Sequence, residues 1–248
     1  MHSKKLSSGL KEQISTLMDT SVGNCDSKEK LLELNSKVIT CKICPRLSEH
    51  ITLISANIPK RFRNDLYWAK PVPSFGDSNA RLLIIGLAPA AHGGNRTGRM
   101  FTGDGSGDWV AKALFQTGFA SSSISRCKND GFALKDTYIT AVVRCAPPHN
   151  RPTSSEITNC SRYLSSELEL LDKTVKVVVA LGHIAFQTYC KLIGLTAIEF
   201  HHGGKFSIKG NKVLLSSYHP SRQNTNTGRL TWRMWIQIFE TARIILDS

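Results

Sequence analysis

The amino-acid sequence predicts an α/β fold of three layers, in which helices cover both faces of a central, four-stranded and mainly parallel sheet. From residue 81 onward, short apolar segments alternate with longer segments of helical periodicity. The apolar segments are almost continuously hydrophobic, which is typical of parallel strands buried on both faces. A helix-length segment follows each of them, as expected when crossover helices return the chain to a parallel strand.

Four segments are predicted to form the strands of this sheet: 81–87 (RLLIIGL), 137–143 (TYITAVV), 175–182 (VKVVVALG) and 212–218 (KVLLSSY). They are rich in branched aliphatic residues, which favour extended backbone. Ligands of such sheets bind beyond the carboxyl ends of the strands. The candidate site therefore lies in the polar segments found there: 88–108, 144–152 and 219–228.

Helices are predicted between and around the strands, at 27–41, 107–119, 153–171, 183–194 and 231–246. The 153–171 helix opens with a capping box, in which Thr153 and Glu156 can each satisfy a free backbone N–H group. Gly194 is well suited to end the helix before it, because glycine adopts the left-handed conformation of a helix C-terminus.

Length and charge restrict the domain organisation and the kind of partner. The chain has 248 residues, of which 41% are hydrophobic, and this is enough for one sizeable core. We expect residues 1–30 to be an N-terminal extension and residues 31–248 to form the domain. The net charge of +13 favours a polyanionic partner, above all nucleic acid, because neutralising phosphates releases counterions. The alternative is a basic protein that has no such partner.

The sequence also predicts the compartment. It contains no run of about 18 apolar residues, so we expect no membrane partner. The first residues, MHSKKLSSGLKEQ, lack the apolar region of a secretory signal, which predicts a cytoplasmic protein. Thiols stay reduced in that compartment, so the seven cysteines are not expected to form a disulfide framework.

Four cysteines are candidate metal ligands, although a zinc ribbon would usually place its second pair only about 15–20 residues after the first. Cys41 and Cys44 form a C-x2-C motif, and Cys145 and Cys160 follow about a hundred residues later. Four thiolates suit an iron–sulfur cluster, and they also suit zinc. The alternative is four unrelated buried cysteines, because cysteine is among the most frequently buried residues.

Four further residues are candidates for chemistry, and each also has a structural interpretation. His219 ends the last predicted strand, where an imidazole could stabilise a developing anion or move a proton, or could simply be a core histidine. Asp104 lies near the start of a helix, where aspartate is often only an N-cap. Phe101 could equally belong to the core, and Asn150 to a turn.

Taken together, the motifs of this sequence resemble the uracil-DNA glycosylase superfamily, and most closely its type B, or family 5, branch. The resemblance covers roughly residues 41–240 and depends on four parts in order: the two cysteine pairs, WAKPVPSFGD, GLAPAAHGGNRTGRMFTGD and YHPSRQNTNTGRL. Leu87 stands where several branches carry a polar or acidic residue, and Ala141 where some carry asparagine. Family 5 shows both of these substitutions.

The resemblance implies roles for the candidate residues. It implies that Cys41, Cys44, Cys145 and Cys160 hold a [4Fe–4S] cluster. It implies catalytic roles for Asp104, His219 and Asn150, and a base-binding pocket formed by Gly86, Leu87, Ala88 and Phe101, with Phe101 stacking on the extruded base. We also expect polar side chains of these segments to contact DNA: Arg96, Arg99, Ser221, Arg222, Gln223, Asn224 and Arg229. Arg222 and Gln223 depart from the family's pattern after HPS, so the motif does not identify the side chain that fills the vacated base stack.

The implied activity is that of a monofunctional DNA glycosylase of base excision repair. It would flip uracil, and deaminated bases such as hypoxanthine and xanthine, out of DNA and excise them, leaving an abasic site. We expect a nucleoid-associated monomer. Two alternatives remain open: a non-catalytic damaged-DNA-binding protein of the same fold, and a small nucleotide hydrolase with a zinc site.

Overall fold

A computed structural model describes residues 26–248 of the chain. Its strands are β1 (Phe75–Gly76), β2 (Leu82–Gly86), β3 (Thr137–Ala141), β4 (Val177–Leu181), β5 (Lys205–Ile208) and β6 (Lys212–Ser217). They form one sheet in the order β1-β3-β2-β4-β6-β5. The four central strands are parallel to one another, and β1 and β5 are antiparallel to their neighbours at the two edges. The predicted fold class and the four predicted parallel strands are therefore confirmed.

The helices surround this sheet. They are α1 (26–39), α2 (Pro45–Ala56), α3 (Gly94–Thr97), α4 (Gly105–Gln116), α5 (Ser154–Leu170), α6 (His183–Leu192), α7 (Arg222–Asn226) and α8 (Trp232–Asp247). Two 3-10 turns, Lys60–Phe62 and Pro148–Asn150, lie in the connections. The predicted capping box at the start of α5 is formed by both of its side chains.

The sheet has two more strands than the sequence predicted, one at each edge. β1 has only two residues, which is too short to show any hydrophobic periodicity. β5 forms a hairpin with β6, and Gly210 and Asn211 in the turn between them both have positive φ. A Gly-Asn pair before an apolar strand is a hairpin signal that could have predicted β5.

Alternate residues of the buried strands face two separate cores, which explains the three layers. Leu82 and Ile84 of β2 pack into a core shared with α4 and α8. Leu83 and Ile85 pack on the opposite face, into a core shared with α1, α5 and α6. All four side chains are fully buried. A strand covered on both sides shows no polar alternation, which is why these segments are continuously apolar.

A buried ion pair fixes the polar segment that follows β3. Arg144 donates to Glu167 of α5, and both side chains are inaccessible to solvent. Glu167 also accepts a hydrogen bond from Thr140, and Arg144 also donates to Ser74. Buried charges need a partner of opposite sign, because an uncompensated one is strongly destabilising, although Nε of Arg144 and Oε1 of Glu167 themselves make no hydrogen bond within the described residues. Since Cys145 is the next residue, this network also sets the position of a predicted metal ligand.

Most of the predicted N-terminal extension, residues 1–30, lies outside the described residues, so its boundary stays a prediction. Residues 26–30 belong to α1. Between residues 26 and 248, no helix is both long and apolar enough to cross a membrane.

Candidate functional site

The segment between β2 and α4, residues 87–104, lies at the carboxyl edge of the sheet, and its glycines allow close packing there. Gly98 has a φ of 75°, and the Cβ of an alanine at this position would lie 2.8 Å from the ring of Trp68. The backbone N–H of Trp68 donates to the carbonyl of Arg96. Residues 60–70 are therefore packed against the glycine-rich segment, a neighbour that the sequence did not predict.

Asp104 is the N-cap of α4, and only one of its carboxylate oxygens is used for capping. Its Oδ1 accepts a hydrogen bond of 2.9 Å from the backbone N–H of Gly107. Its Oδ2 lies against the backbone of Gly93, where the Cβ of an alanine would be only 1.7 Å away. Burial raises the pKa of Asp104 above its ordinary value. The capping interpretation is thus correct, and Oδ2, which the bond from Gly107 does not use, packs against Gly93.

Phe101, Gly86 and His219 meet at the end of β2, and Phe101 lies three residues before Asp104 in the chain. The Cβ of an alanine at Gly86 would lie 2.8 Å from Cζ of Phe101, so the ring packs directly on the end of β2. The ring centroids of Phe101 and His219 are 6.0 Å apart. Phe101 has a φ of 49°, a strained conformation for a bulky residue. Such strain is concentrated at functional sites, where the surrounding structure holds it.

His219 is held close to the start of α4. Its backbone carbonyl accepts a hydrogen bond of 2.8 Å from Nδ2 of Asn224. The carbonyl of Pro220 accepts one of 3.0 Å from the hydroxyl of Ser106, two residues after Asp104. Burial lowers the pKa of His219 to about 4, so its imidazole is neutral at pH 7 and can donate a hydrogen bond from one ring nitrogen.

The other two residues predicted to line the pocket, Leu87 and Ala88, are half-buried. The carbonyl of Leu87 accepts a hydrogen bond of 2.9 Å from the backbone N–H of Val143, which continues the pairing of β2 beyond its end. Ala88 packs against the core on the α5 side of the sheet. Leu87 thus offers the site an apolar surface and no group that could activate water.

Asn150 does not join this group of residues. It is exposed on the turn Pro148–Asn150, and within residues 26–248 its side chain makes no hydrogen bond. Both His149 and Asn150 have positive φ, with values of 54° and 57°. Two successive strained residues on an exposed turn leave the asparagine facing solvent, and its predicted catalytic role stays a prediction.

The predicted DNA contacts after β6 divide into two kinds. Arg222, Gln223 and Arg229 are exposed. Ser221 and Asn224 instead hold the segment together, because the Ser221 hydroxyl caps α7 by accepting from the backbone N–H of Asn224. The exposed side chains are the ones available to a phosphate backbone.

Arg96 and Arg99 have internal partners, and their predicted contact with DNA stays a prediction. All three side-chain nitrogens of Arg99 donate within the protein, among others to Asp130, and the side chain is only 7% exposed. Burial alone would raise the pKa of Asp130, but Arg99 and three backbone N–H groups lower it to about 2. Arg96 likewise donates to Asp65 and to the carbonyls of His92 and Gly103. Both arginines fix the glycine-rich segment from inside.

The four predicted metal ligands line one pocket, although they come from three parts of the chain. Cys41 precedes α2, Cys44 is its N-cap, Cys145 follows β3 and Cys160 lies on α5. Two N–H donors point at the sulfurs. The backbone N–H of Arg144 lies 3.3 Å from Sγ of Cys160, and Nδ2 of Asn159 lies 3.8 Å from Sγ of Cys44.

The chemistry of this donor set is that of closely grouped thiols. Burial and the neighbouring cysteines raise the pKa of Cys145, and burial raises that of Cys160 to about 11. Thiolates in this pocket therefore need a positively charged group between them. Within the described residues, no three His, Cys, Asp or Glu side chains converge as closely as a single metal ion requires.

Comparison with known proteins supplies the family. The model of the uracil DNA glycosylase superfamily matches residues 73–243, which include Asp104, Phe101 and His219. The chain belongs to this superfamily. The match begins at β1 and ends within α8, so it spans the whole sheet of the fold described above.

Similar proteins place the chain in the type-5 branch of the superfamily. A type-5 uracil-DNA glycosylase of Thermus thermophilus is 46% identical over 205 residues, which are 82% of this chain and 92% of that protein. One of Pyrobaculum aerophilum is 44% identical over 207 residues, which are 84% of this chain and 89% of that protein. A type-4 uracil-DNA glycosylase of Archaeoglobus fulgidus is 32% identical over 156 residues, or 60% of this chain and 70% of that protein. The predicted family and branch are confirmed.

Sequence reasoning missed the contribution of residues 60–70 to this site. The hydroxyl of Tyr67 is 2.9 Å from Nδ1 of His92, and Asp65 forms an ion pair with Arg96. The basic and aromatic composition of this stretch, KRFRNDLYWAK, is the signal that could have drawn attention to it.

Proposed function

We propose that the protein is a DNA glycosylase that hydrolyses the N-glycosidic bond of uracil in DNA during base excision repair. The single observation that carries this proposal is the grouping at the sheet edge. The half-buried Asp104 carboxylate, whose Oδ2 is not used by the bond from Gly107, lies in the same segment as Phe101, whose ring meets the neutral His219. The relatives named as type-5 uracil-DNA glycosylases support the same substrate.

Base binding in this proposal depends on stacking. A base within a duplex shields its glycosidic bond, so the nucleotide has to leave the stack and enter the protein. The Phe101 ring, held against Gly86, offers a flat apolar surface for that base. Stacking of a base on an aromatic side chain contributes about 1–3 kcal/mol.

The reaction replaces the bond from C1′ to the base nitrogen by a bond from C1′ to the oxygen of water. The electron pair of the broken bond leaves with the base, and a proton from the attacking water neutralises the base anion.

Positive charge develops on the sugar, where the Asp104 carboxylate stabilises it or orients the water. Negative charge develops on the base oxygen, which His219 stabilises by donating a hydrogen bond. Asn150 would touch the base edge or orient water once DNA is bound. No amine nucleophile takes part, so the product is an abasic site.

A [4Fe–4S] cluster fits the cysteine pocket. Its ligands would be Cys41, Cys44, Cys145 and Cys160, and the N–H groups directed at the sulfurs are typical outer partners of such ligands. The cluster would cross-link α2, α5 and the segment after β3. It would take no part in base release, which is a hydrolysis and involves no redox step. Zinc would require the four sulfurs to lie closer together than they do here, and analysis of the metal content distinguishes it from the cluster.

The proposed specificity extends to hypoxanthine and xanthine. The predicted base-binding residues Gly86, Leu87, Ala88 and Phe101 contribute no polar side chain. Stacking tolerates different bases, because every base has a π face. Recognition that relies on stacking is therefore expected to accept deaminated purines as well as uracil.

The net charge of +13 and the exposed residues Arg222, Gln223 and Arg229 support DNA as the partner. A monomer suits the excision of single bases, and a protein with this substrate would be nucleoid-associated.

Release of the base is the direct test. The protein is purified anaerobically and incubated with an end-labelled duplex that carries one uracil or one hypoxanthine, and alkali then breaks any abasic site. We expect strand breakage at the lesion. Binding without breakage would instead support the non-catalytic DNA-binding protein. Activity on free nucleotides alone would support the nucleotide hydrolase.

Gly93→Ala is expected to slow base release by about ten- to a hundredfold, because a displacement of about 1 Å can cost this much, and to lower stability by about 1 kcal/mol, because the displaced carboxylate also caps α4. The new Cβ would overlap Oδ2 of Asp104, and the carboxylate, at the end of a short side chain, would have to move away. Single-turnover rates and the melting temperature measure the two effects. Gly105→Ala is the matched control, since the atom nearest to its new Cβ is 3.9 Å away. An unchanged rate for Gly93→Ala would contradict the position assigned to Asp104.

A further inference from the structure

Leu66 has the most exposed of the large hydrophobic side chains in the described part of the chain, with 98% of its surface accessible. Single exposed leucines are common and need no explanation by themselves. Leu66 differs from the others in its anchoring, its surroundings and its position relative to the proposed active site.

Both neighbours of Leu66 in the chain are fixed to the glycine-rich segment. Asp65 forms an ion pair of 2.6 Å with Arg96, whose other terminal nitrogen donates to the carbonyl of Gly103, next to Asp104. On the other side, the Tyr67 hydroxyl is 2.9 Å from Nδ1 of His92, the residue before Gly93. Leu66 is therefore held between two contacts to the segment that carries the Asp104 carboxylate.

The surroundings of Leu66 are strongly basic. Four cationic side chains lie within six residues of it, and all are exposed: Lys60, Arg61, Arg63 and Lys70. A basic surface that presents an apolar tip suits a nucleic acid, because its phosphates meet the charges while its stacked bases offer an apolar interior.

A flipped nucleotide leaves a gap in the base stack, and proteins that distort DNA commonly insert an apolar side chain between the base steps. The segment after His219 has none to offer. Between Pro220 and Leu230 every residue is polar or glycine, and Leu230 itself is fully buried.

We propose that Leu66 inserts into the duplex and fills the gap left by the flipped nucleotide. This inference rests on the proposed function, because it requires a flipped base. The ion pair of Asp65 and the hydrogen bond of Tyr67 position the leucine, and the four basic side chains hold the phosphates on either side. Leu66 is thus a positioning residue, which acts on the DNA stack and not on the glycosidic bond.

The test is the ratio of base-release rates on duplex and single-stranded substrates. A single strand has no paired stack to refill, so Leu66→Ala is expected to lower the duplex rate relative to the single-strand rate by about tenfold, because the gap in the duplex is then left unfilled. Leu66→Met keeps a long apolar side chain and is expected to restore most of the ratio. Fluorescence of 2-aminopurine placed beside the uracil reports flipping directly, and should fall for Leu66→Ala.

The control is Ile244→Ala, which truncates another exposed aliphatic side chain, 70% accessible, near the end of α8. This end of α8 lies at the amino ends of the parallel strands, away from the proposed active site. Arg81, the residue before β2, donates a hydrogen bond there to the carbonyl of Leu246. The control ratio should match that of the wild type. If Leu66→Ala lowered the rates on both substrates equally, or lowered neither, the role proposed for Leu66 would be refuted and the proposed function would stand. A wild-type protein that releases uracil from neither substrate would overturn the proposed function itself.

Discussion

Asp104→Asn should lower the rate of base release by about 100-fold or more while the protein keeps its fold. Asparagine caps a helix about as well as aspartate, so the hydrogen bond from Gly107 and the stability of α4 should persist. What is lost is the negative charge beside the developing positive charge of the sugar. Single-turnover rates together with thermal melting measure the two consequences separately.

The pH dependence of the wild type gives a second readout of Asp104. Burial raises its pKa, so the carboxylate takes up a proton at a higher pH than an exposed aspartate would. Base release by the wild type should therefore decline as the pH falls through this raised pKa, and this acid limb should be absent from the residual activity of Asp104→Asn. His219 stays neutral down to about pH 4 and should add no step near its ordinary pKa.

Asp108→Asn is the matched control for this experiment. Asp108 lies in the first turn of the same helix, but its side chain is exposed. The control should retain the wild-type rate. An Asp104→Asn variant that is as fast as this control would show that the carboxylate has no part in the chemistry.

If the proposed cluster is present, Cys145→Ala is expected to remove it and to destabilise the protein by about 3 kcal/mol or more, which corresponds to roughly 6–12 °C in melting temperature for a domain of this size. The pocket joins α2, α5 and the segment after β3, and the proposed cross-link between them would be lost. Iron and acid-labile sulfide per protein, the brown colour and thermal melting are the measurements.

The control for this variant is Cys190→Ala, which removes another buried thiol on α6, outside the pocket. It should lose a little stability through the cavity it creates and keep its full iron content. A Cys145→Ala protein that is as stable as this control would refute the cross-link. A colourless wild type that contains zinc would replace the cluster by a zinc site in the same pocket.

Local patterns were sufficient for the central strands and for most helix boundaries. The continuous apolar run at 81–87 predicted a strand covered on both faces, and the capping box of Thr153 and Glu156 marked the start of α5 within one residue. Both features depend on neighbours in the sequence. The edge strand β1 was missed because two residues show no period, and only its antiparallel pairing with β3 makes it a strand.

The family and its site motifs were also accessible from the sequence, because the order of the motifs is specific. The internal role of Arg99 was not. Its partners Ser125, Lys128 and Asp130 lie 26 to 31 residues further along, and only the packing of that loop buries the guanidinium. From the sequence alone, a basic residue in a polar segment cannot be distinguished from one that binds phosphate, because its internal partners are not visible.

The sequence by itself determined the α/β fold, the branch of the superfamily and the residue types at the site, because periodicity, caps and motif order are properties of the chain. The tertiary structure decided which of these residues act together. It placed Phe101 against Gly86 and His219, packed Oδ2 of Asp104 against Gly93 and anchored Leu66 between Asp65 and Tyr67. The physical reason is that burial, strain and electrostatic pairing depend on segments distant in sequence, which come together only in the folded chain.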